Sequence, residues 1–170
     1  RSEEVSTDLN NLGKLYTDMG RSFDAVECLE EAIDIREEIF GTYHERTATS
    51  QNNLGLVLNE LEDYVGAEKI LRLALESRLQ LFGARSVYTS TTQNNLAICL
   101  TGIGSDKHQE EVGDLRLSCY ETRRDILGPG HPRTLTAMLG LARYKSAVGE
   151  IDEAVEISDQ VLVLRRQHSG

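Results

Sequence analysis

The chain has 170 residues, with 28 acidic against 18 basic side chains and a formal net charge of −10. That balance argues against nucleic acid as a partner, because phosphate contacts need a basic stripe. No apolar run approaches the roughly 18 residues of a membrane span, so no membrane insertion is expected, and no charged-then-apolar leader is read at the start.

The chain begins at Arg1 rather than Met, as a piece of a longer protein would. Residues 1–45 hold 12 acids and four bases, a net of −8, and the remainder 16 acids and 14 bases, a net of −2. A basic protein segment complements the first quarter; the plainer reading of the same charge is a solvated helix face. The three cysteines, Cys28, Cys99 and Cys119, are odd in number and lack CxxC spacing, which argues against a disulfide frame or a zinc site. Each falls at an apolar helical position, and a reducing intracellular compartment such as the cytoplasm is expected.

In the first 20 residues Val5, Leu9, Leu12, Tyr16 and Met19 recur at three- and four-residue spacing. This predicts a helix with one apolar stripe, ended by Gly20 and the polar pair Arg21–Ser22. A second helix follows, with Phe23, Val26, Leu29, Ile33 and Phe40 expected on its buried side and Gly41 closing it. The two-helix phrase then recurs. NNLG begins at Asn10 and Asn52, and NNLA at Asn94, in steps of 42. MLGLARYKSAVG, from Met138, aligns with a step of 45, the three extra residues lying in SDKHQEE. Gly83 and Gly128 close later second helices as Gly41 does. The organisation expected is one repeat domain over 1–170, with units near 3–43, 44–85, 86–130 and 131–168.

Small residues keep the same period. Gly13, Gly55, Ala97 and Ala142 share one register on the first helices. Ala25, Ala67 and Ala154 share another on the second, with Val112 or Gly113 in the third unit, and Ala32 and Ala74 a third, taken by Cys119 and Val161. Small side chains let two helix backbones approach while large neighbours fill the grooves around them.

The order Leu12–Gly13, Tyr16, Gly20, Ala25, Leu29, Ala32 resembles the tetratricopeptide repeat. The 42-residue period, and linkers such as LGPGHPRT from Leu127, resemble the kinesin light chain type of that repeat. The likeness spans residues 5–168. It implies an all-α, right-handed α-solenoid of four helical hairpins, about eight helices. Polar Arg116 and Ser158 depart from it, standing at second-helix positions that are usually apolar.

Catalytic signatures are missing. His44 and His131 occupy equivalent linker positions with Ser86 between them, and with Pro132 following His131 they read as helix starts rather than ligands. The GxG of GIGSDK, from Gly102, ends a helix and follows no strand, so it fails the dinucleotide pattern. No P-loop, GxSxG or paired buried carboxylate occurs. The expectation is a protein that is not an enzyme, without cofactor or metal.

The resemblance implies that first helices line a concave groove holding peptides. Its inward positions here are Thr7, Asn10, Lys14 and Thr17; then Thr49, Asn52, Leu56 and Asn59; then Thr91, Asn94, Ile98 and Thr101; then Thr136, Leu139, Arg143 and Ser146. The candidate partner-binding residues are Asn10, Lys14, Thr17, Asn52, Leu56, Asn59, Asn94, Ile98, Thr101 and Arg143. An Asn side chain can both donate to and accept from a peptide backbone. The second amide of each pair, Asn11, Asn53 and Asn95, is expected to bond between hairpins, and a structural role for both amides is the alternative. The function expected is a scaffold or adaptor holding a protein or peptide partner in the groove. The alternatives are an assembly subunit of a larger complex, contacting neighbours by its ends and outer face, and a regulatory repeat region of a larger enzyme. Val155, Val161, Leu162 and Leu164 are read as an apolar edge at the C-terminal end.

Overall fold

The first helix of every hairpin starts on a side-chain acceptor. Ser2, His44, Ser86 and His131 each stand before a first helix and accept a hydrogen bond from a backbone N–H of the first turn. The imidazole Nδ1 does this from His44 to Arg46 N (3.2 Å) and from His131 to Arg133 N (3.1 Å), so both linker histidines serve as helix caps. In this computed structural model, which describes residues 2–168 and not the side chain of His168, the helices are α1 Glu3–Asp18, α2 Ser22–Phe40, α3 Glu45–Glu60, α4 Tyr64–Phe82, α5 Val87–Ile103, α6 Gln109–Leu127, α7 Pro132–Ala147 and α8 Ile151–His168. The three inserted residues form a single 3-10 turn, Asp106–His108, before α6. No strand occurs among the described residues.

The helices pair as α1–α2, α3–α4, α5–α6 and α7–α8, and each second helix packs on the next first helix. The architecture is an all-α repeat solenoid. The tight turn inside each hairpin places one residue in the left-handed region, at Gly20, Glu62, Gly104 and Gly149 with φ of 71°, 60°, 67° and 89°. Three of the four are glycine because a side chain is strained there.

Close approach explains the small-residue registers. A Cβ built on Gly13 would lie 2.7 Å from Leu29 Cγ, and one on Gly55 only 2.4 Å from Leu71 Cγ. Where the first helix carries alanine instead, at Ala97 and Ala142, the leucine register holds Arg116 and Ser158. Within one chain, glycine goes with leucine and alanine with a side chain that is not leucine. Ala25, Ala32, Ala67 and Ala74 are fully buried, and Cys119 and Val161 nearly so.

Three sequence expectations are corrected by position in the stack. Phe23 is 78% exposed rather than buried. It lies four and seven residues before Glu27 and Glu30 and so shares their solvent face. The apolar stripe of α1 is largely open, at Val5, Leu12 and Met19, because no hairpin precedes α1 among the described residues. Val161 does not belong to an apolar edge: it packs against Leu135 and Met138, with Leu164 half-buried beside it, and leaves Val155 and Leu162 exposed.

Candidate partner-binding surface

Successive first helices approach each other, α1 with α3 and α3 with α5, and second helices show no comparable approach. The array therefore bends toward its first helices over α1, α3 and α5, whose inner sides adjoin.

Polar side chains join those helices. Asn10 Oδ1 accepts from Ser50 Oγ (2.9 Å) and from Asn53 Nδ2 (3.1 Å). One unit on, Asn52 Oδ1 accepts from Thr92 Oγ1 (3.0 Å) and Asn95 Nδ2 (3.2 Å). Asn53 and Asn95 thus each bond to the first amide of the preceding hairpin. Asn10 and Asn52 are both buried. Their oxygens are committed to the stack, and no hydrogen bond to another described residue is seen for their amide nitrogens. A structural role therefore accounts for half of each side chain.

A row of arginines that the sequence reading passed over extends this network. Arg36 Nη1 donates to the Arg46 carbonyl (2.7 Å) and to Ser50 Oγ (2.8 Å). Arg78 Nη1 donates to the Tyr88 carbonyl (2.7 Å) and to Thr92 Oγ1 (2.7 Å). Arg123 Nη1 donates to the Arg133 carbonyl (3.1 Å), and its Nε to Ser90 Oγ (3.3 Å). Each buried guanidinium ties a second helix to the start of the next first helix. Burial pushes the Arg78 pKa down to about 10, which leaves it cationic near neutral pH, and burial also lowers those of Arg36 and Arg123. The signal was present in the sequence, since Arg36, Arg78, Arg123 and Arg165 follow the repeat period.

The third junction differs. Gly140 and Ala137 stand where asparagine and a hydroxyl residue stood before, so α7 offers Asn94 no side-chain donor. Arg116 supplies one from α6, donating from Nη1 to Asn94 Oδ1 (3.1 Å). The guanidinium fills the space over Gly140, where a Cβ would lie 2.6 Å from Nη1. Burial lowers the Arg116 pKa, with nearby Arg143 adding to the shift and Cys119 opposing it. Arg116 Nε is buried with no hydrogen-bond partner among the described residues. Beside it, a cavity of about 410 Å³ opens among α5, the 3-10 turn, α6 and α7, lined by Ile98, Thr101, His108, Arg116, Arg143 and Tyr144 among others.

The remaining candidates fall into two groups. Lys14, Leu56, Ile98, Thr101 and Arg143 are exposed, and Ile98, Thr101 and Arg143 meet at the cavity. Thr17 and Thr101 turn their hydroxyls back on their own helix, donating to the Gly13 and Ala97 carbonyls. Asn59 is buried and donates from Nδ2 to the Asn95 carbonyl (3.0 Å). No group of three or more metal-ligating side chains occurs among the described residues, and none of their helices is long and apolar enough to cross a membrane.

A family model described as tetratricopeptide repeat matches residues 4–79 and 51–108, and a second of the same description matches 134–170. Comparison with curated proteins gave no match. Among solved structures, the chain resembles a Podosopora anserina protein described as kinesin light chain with nearly identical TPR-like repeats. That likeness has 21% identity and a TM-score of 0.77, and covers 99% of this chain and 78% of that one. It also resembles BtubC (BKLC) from P. vanneervenii, at 22% identity and a TM-score of 0.84, over 97% of this chain and 65% of that one. The ArsTM double mutant of MamA RS-1 follows at 15% identity and a TM-score of 0.70, over 99% of this chain and 80% of that one. At these identities the structural likeness establishes the fold.

Proposed function

Because this chain belongs to the tetratricopeptide repeat family, with repeats of the kinesin light chain type, we propose that it is a non-catalytic adaptor holding an extended segment of a protein partner along its first helices. Repeats of this family mediate protein–protein interaction, and the fold is typically an interaction module without catalysis. The observation that carries the finer reading is the inner surface itself. It is preformed on rigid helices and presents apolar Leu56 and Ile98 between cationic Lys14 and Arg143, with a cavity at its third junction. The amide nitrogens of Asn10 and Asn52 add donors suited to a peptide carbonyl. The acidic first quarter suits a partner that is basic over that end.

Replacing Asn10, Asn52 and Asn94 by alanine would confound binding with stability, since two of them hold the stack together. The cleaner test changes Leu56 and Ile98, both more than a third exposed, to aspartate. Random peptides displayed on phage are selected against the unaltered chain and then offered to the Leu56→Asp/Ile98→Asp variant, after both are shown to melt alike. Loss of the selected peptides supports the inner surface as the reader. Selected peptides that bind the variant equally well would overturn it.

A further inference from the structure

One register of the second helices is filled by fully buried Leu29 and Leu71 in the first two hairpins and by half-buried Arg116 in the third. The arginine crosses to α7, where its guanidinium covers Gly140, and to Asn94 of α5. A guanidinium carries five donors. Here Nη1 bonds to Asn94, Nε is buried without a partner, and no carboxylate pairs with the group among the described residues. Arg143, three residues beyond Gly140 and so on the same side of α7, also has no ion pair among the described residues.

Two cations thus meet at the cavity of the third junction without a counter-charge. Glu3 and Glu45 partly offset the burial of Arg36 and Arg78, and Arg123 has two oxygen acceptors of its own. No acid does this for Arg116: Arg143 adds repulsion to the burial, and the Cys119 thiol opposes it. Glu111, on the same helix, is held by Arg72 at 2.7 Å. Asp106 is the one carboxylate lining the cavity, and it pairs with neither arginine. A cation withdrawn from water without a partner is costly. The walls beside the pair are apolar, with Ile98 from α5, Val112 from α6, and Tyr144 and Val148 from α7. Apolar walls, a few polar groups and a volume of about 410 Å³ are the make-up of a small-molecule site.

We propose that this cavity binds a small monocarboxylate with an apolar body, its carboxylate set between Arg116 and Arg143 and its body against Ile98, Val112 and Tyr144. The planar guanidinium suits a carboxylate in a two-point bond, and the body leaves water for largely apolar walls. Both parts are needed, because the charge selects the head of the ligand and the walls select what it is attached to. The site goes beyond the peptide reading, since a free acid needs no partner chain.

Titration of the isotope-labelled chain with hydrocinnamate, followed by amide NMR shifts, tests this. Shifts are expected at Ile98, Val112 and Tyr144 and their neighbours, with a Kd of about 1 mM or tighter. The primary amide of the same acid, which lacks the charge, and acetate, which lacks the body, should each bind at least about tenfold more weakly. Arg143→Gln should weaken hydrocinnamate at least about tenfold, and Arg143→Lys by less, because it keeps the charge. Arg143 is exposed, so both variants should melt like the unaltered chain. Arg116→Lys should also weaken binding by losing the two-point bond; if its melt falls, the Arg143 variants decide alone. The proposal is overturned if hydrocinnamate up to roughly 20 mM moves none of these amides, if the amide or acetate binds equally well, or if Arg143→Gln leaves the affinity unchanged. It is also overturned if the cavity responds only to carboxylates carried on the phage-selected peptides, which would assign it to a side chain of the partner. That result leaves the peptide reading standing, because loss of peptides in the Leu56→Asp/Ile98→Asp variant is a separate readout.

Discussion

Replacing Gly55 by alanine tests whether the close approach of α3 and α4 is a real constraint. The added Cβ would lie 2.4, 2.5 and 3.1 Å from three carbons of Leu71, a side chain with no exposure. Ordinary carbon contacts begin near 3.5 Å, so α3 must move or Leu71 must leave its rotamer. Overpacking of this kind costs about 1–3 kcal/mol, against about 1 kcal/mol gained from the better helix propensity of alanine. A net loss of up to about 2 kcal/mol is expected from urea unfolding followed by circular dichroism, with an unchanged m-value as the check that the unfolded state is the same. Leu71→Ser alone should cost about 2–5 kcal/mol by opening a cavity. Its hydroxyl can donate to the carbonyl four residues back, as Ser158 does to Ala154 at 2.8 Å. The double variant reproduces the Ala142–Ser158 combination of the last hairpin and should be more stable than the two losses added together, by about 1–2 kcal/mol of coupling. A Gly55→Ala variant at or above the stability of the unaltered chain, with coupling within about 0.5 kcal/mol of zero, would refute the reasoning.

Asn53→Ala and Asn95→Ala each remove a donor between hairpins and should lower stability by about 1 kcal/mol in the same assay. Asn11→Ala, at the same register but exposed on α1, should change it by less than about 0.5 kcal/mol. The Arg72–Glu111 contact between α4 and α6 predicts a pH dependence. Arg72 Nη1 donates to Glu111 Oε1 at 2.7 Å, and the hydrogen bond to Arg72 is the main reason the Glu111 pKa lies below its ordinary value of 4.5. A carboxylate depressed on folding stabilises the native state above its unfolded pKa and loses that contribution as pH falls through the folded one. Thermal melts should therefore show Glu111→Gln lowering Tm modestly at neutral pH and flattening its fall below about pH 4.5. The effect is small, because both groups are more than a third exposed and solvent screens them.

Periodicity made most of the fold legible. The helix ends at Gly41, Gly83 and Gly128, and the small registers at Gly13, Gly55, Ala25 and Ala67, follow from spacing alone, since each answers to the same local geometry in one repeat after another. Exposure was harder to read, because the stripe of α1 has the pattern of a buried face and differs only in what lies beside it. The asparagines show a second limit. On a single helix Asn10 points inward, but first helices that touch make an inward residue an interhairpin one as well, so its oxygen is taken by Ser50 and Asn53. Arg116 stood out as a departure from the pattern. Its reason depends on Gly140 and Ala137 of the following helix, which no reading of α6 by itself contains.

The bonds that tie hairpin to hairpin join residues only 10 to 43 positions apart. No late-made segment has to find an early one across the whole chain, so loop-closure entropy is small at every step and assembly is fast. A hairpin completes its contacts once the first helix of the next has been synthesised, and nascent chains can settle in order from the N-terminus while the rest is still being made. The same locality makes loss gradual. A chain ended at Gly83 or Gly128 keeps its earlier hairpins folded, each stabilised by its neighbours alone.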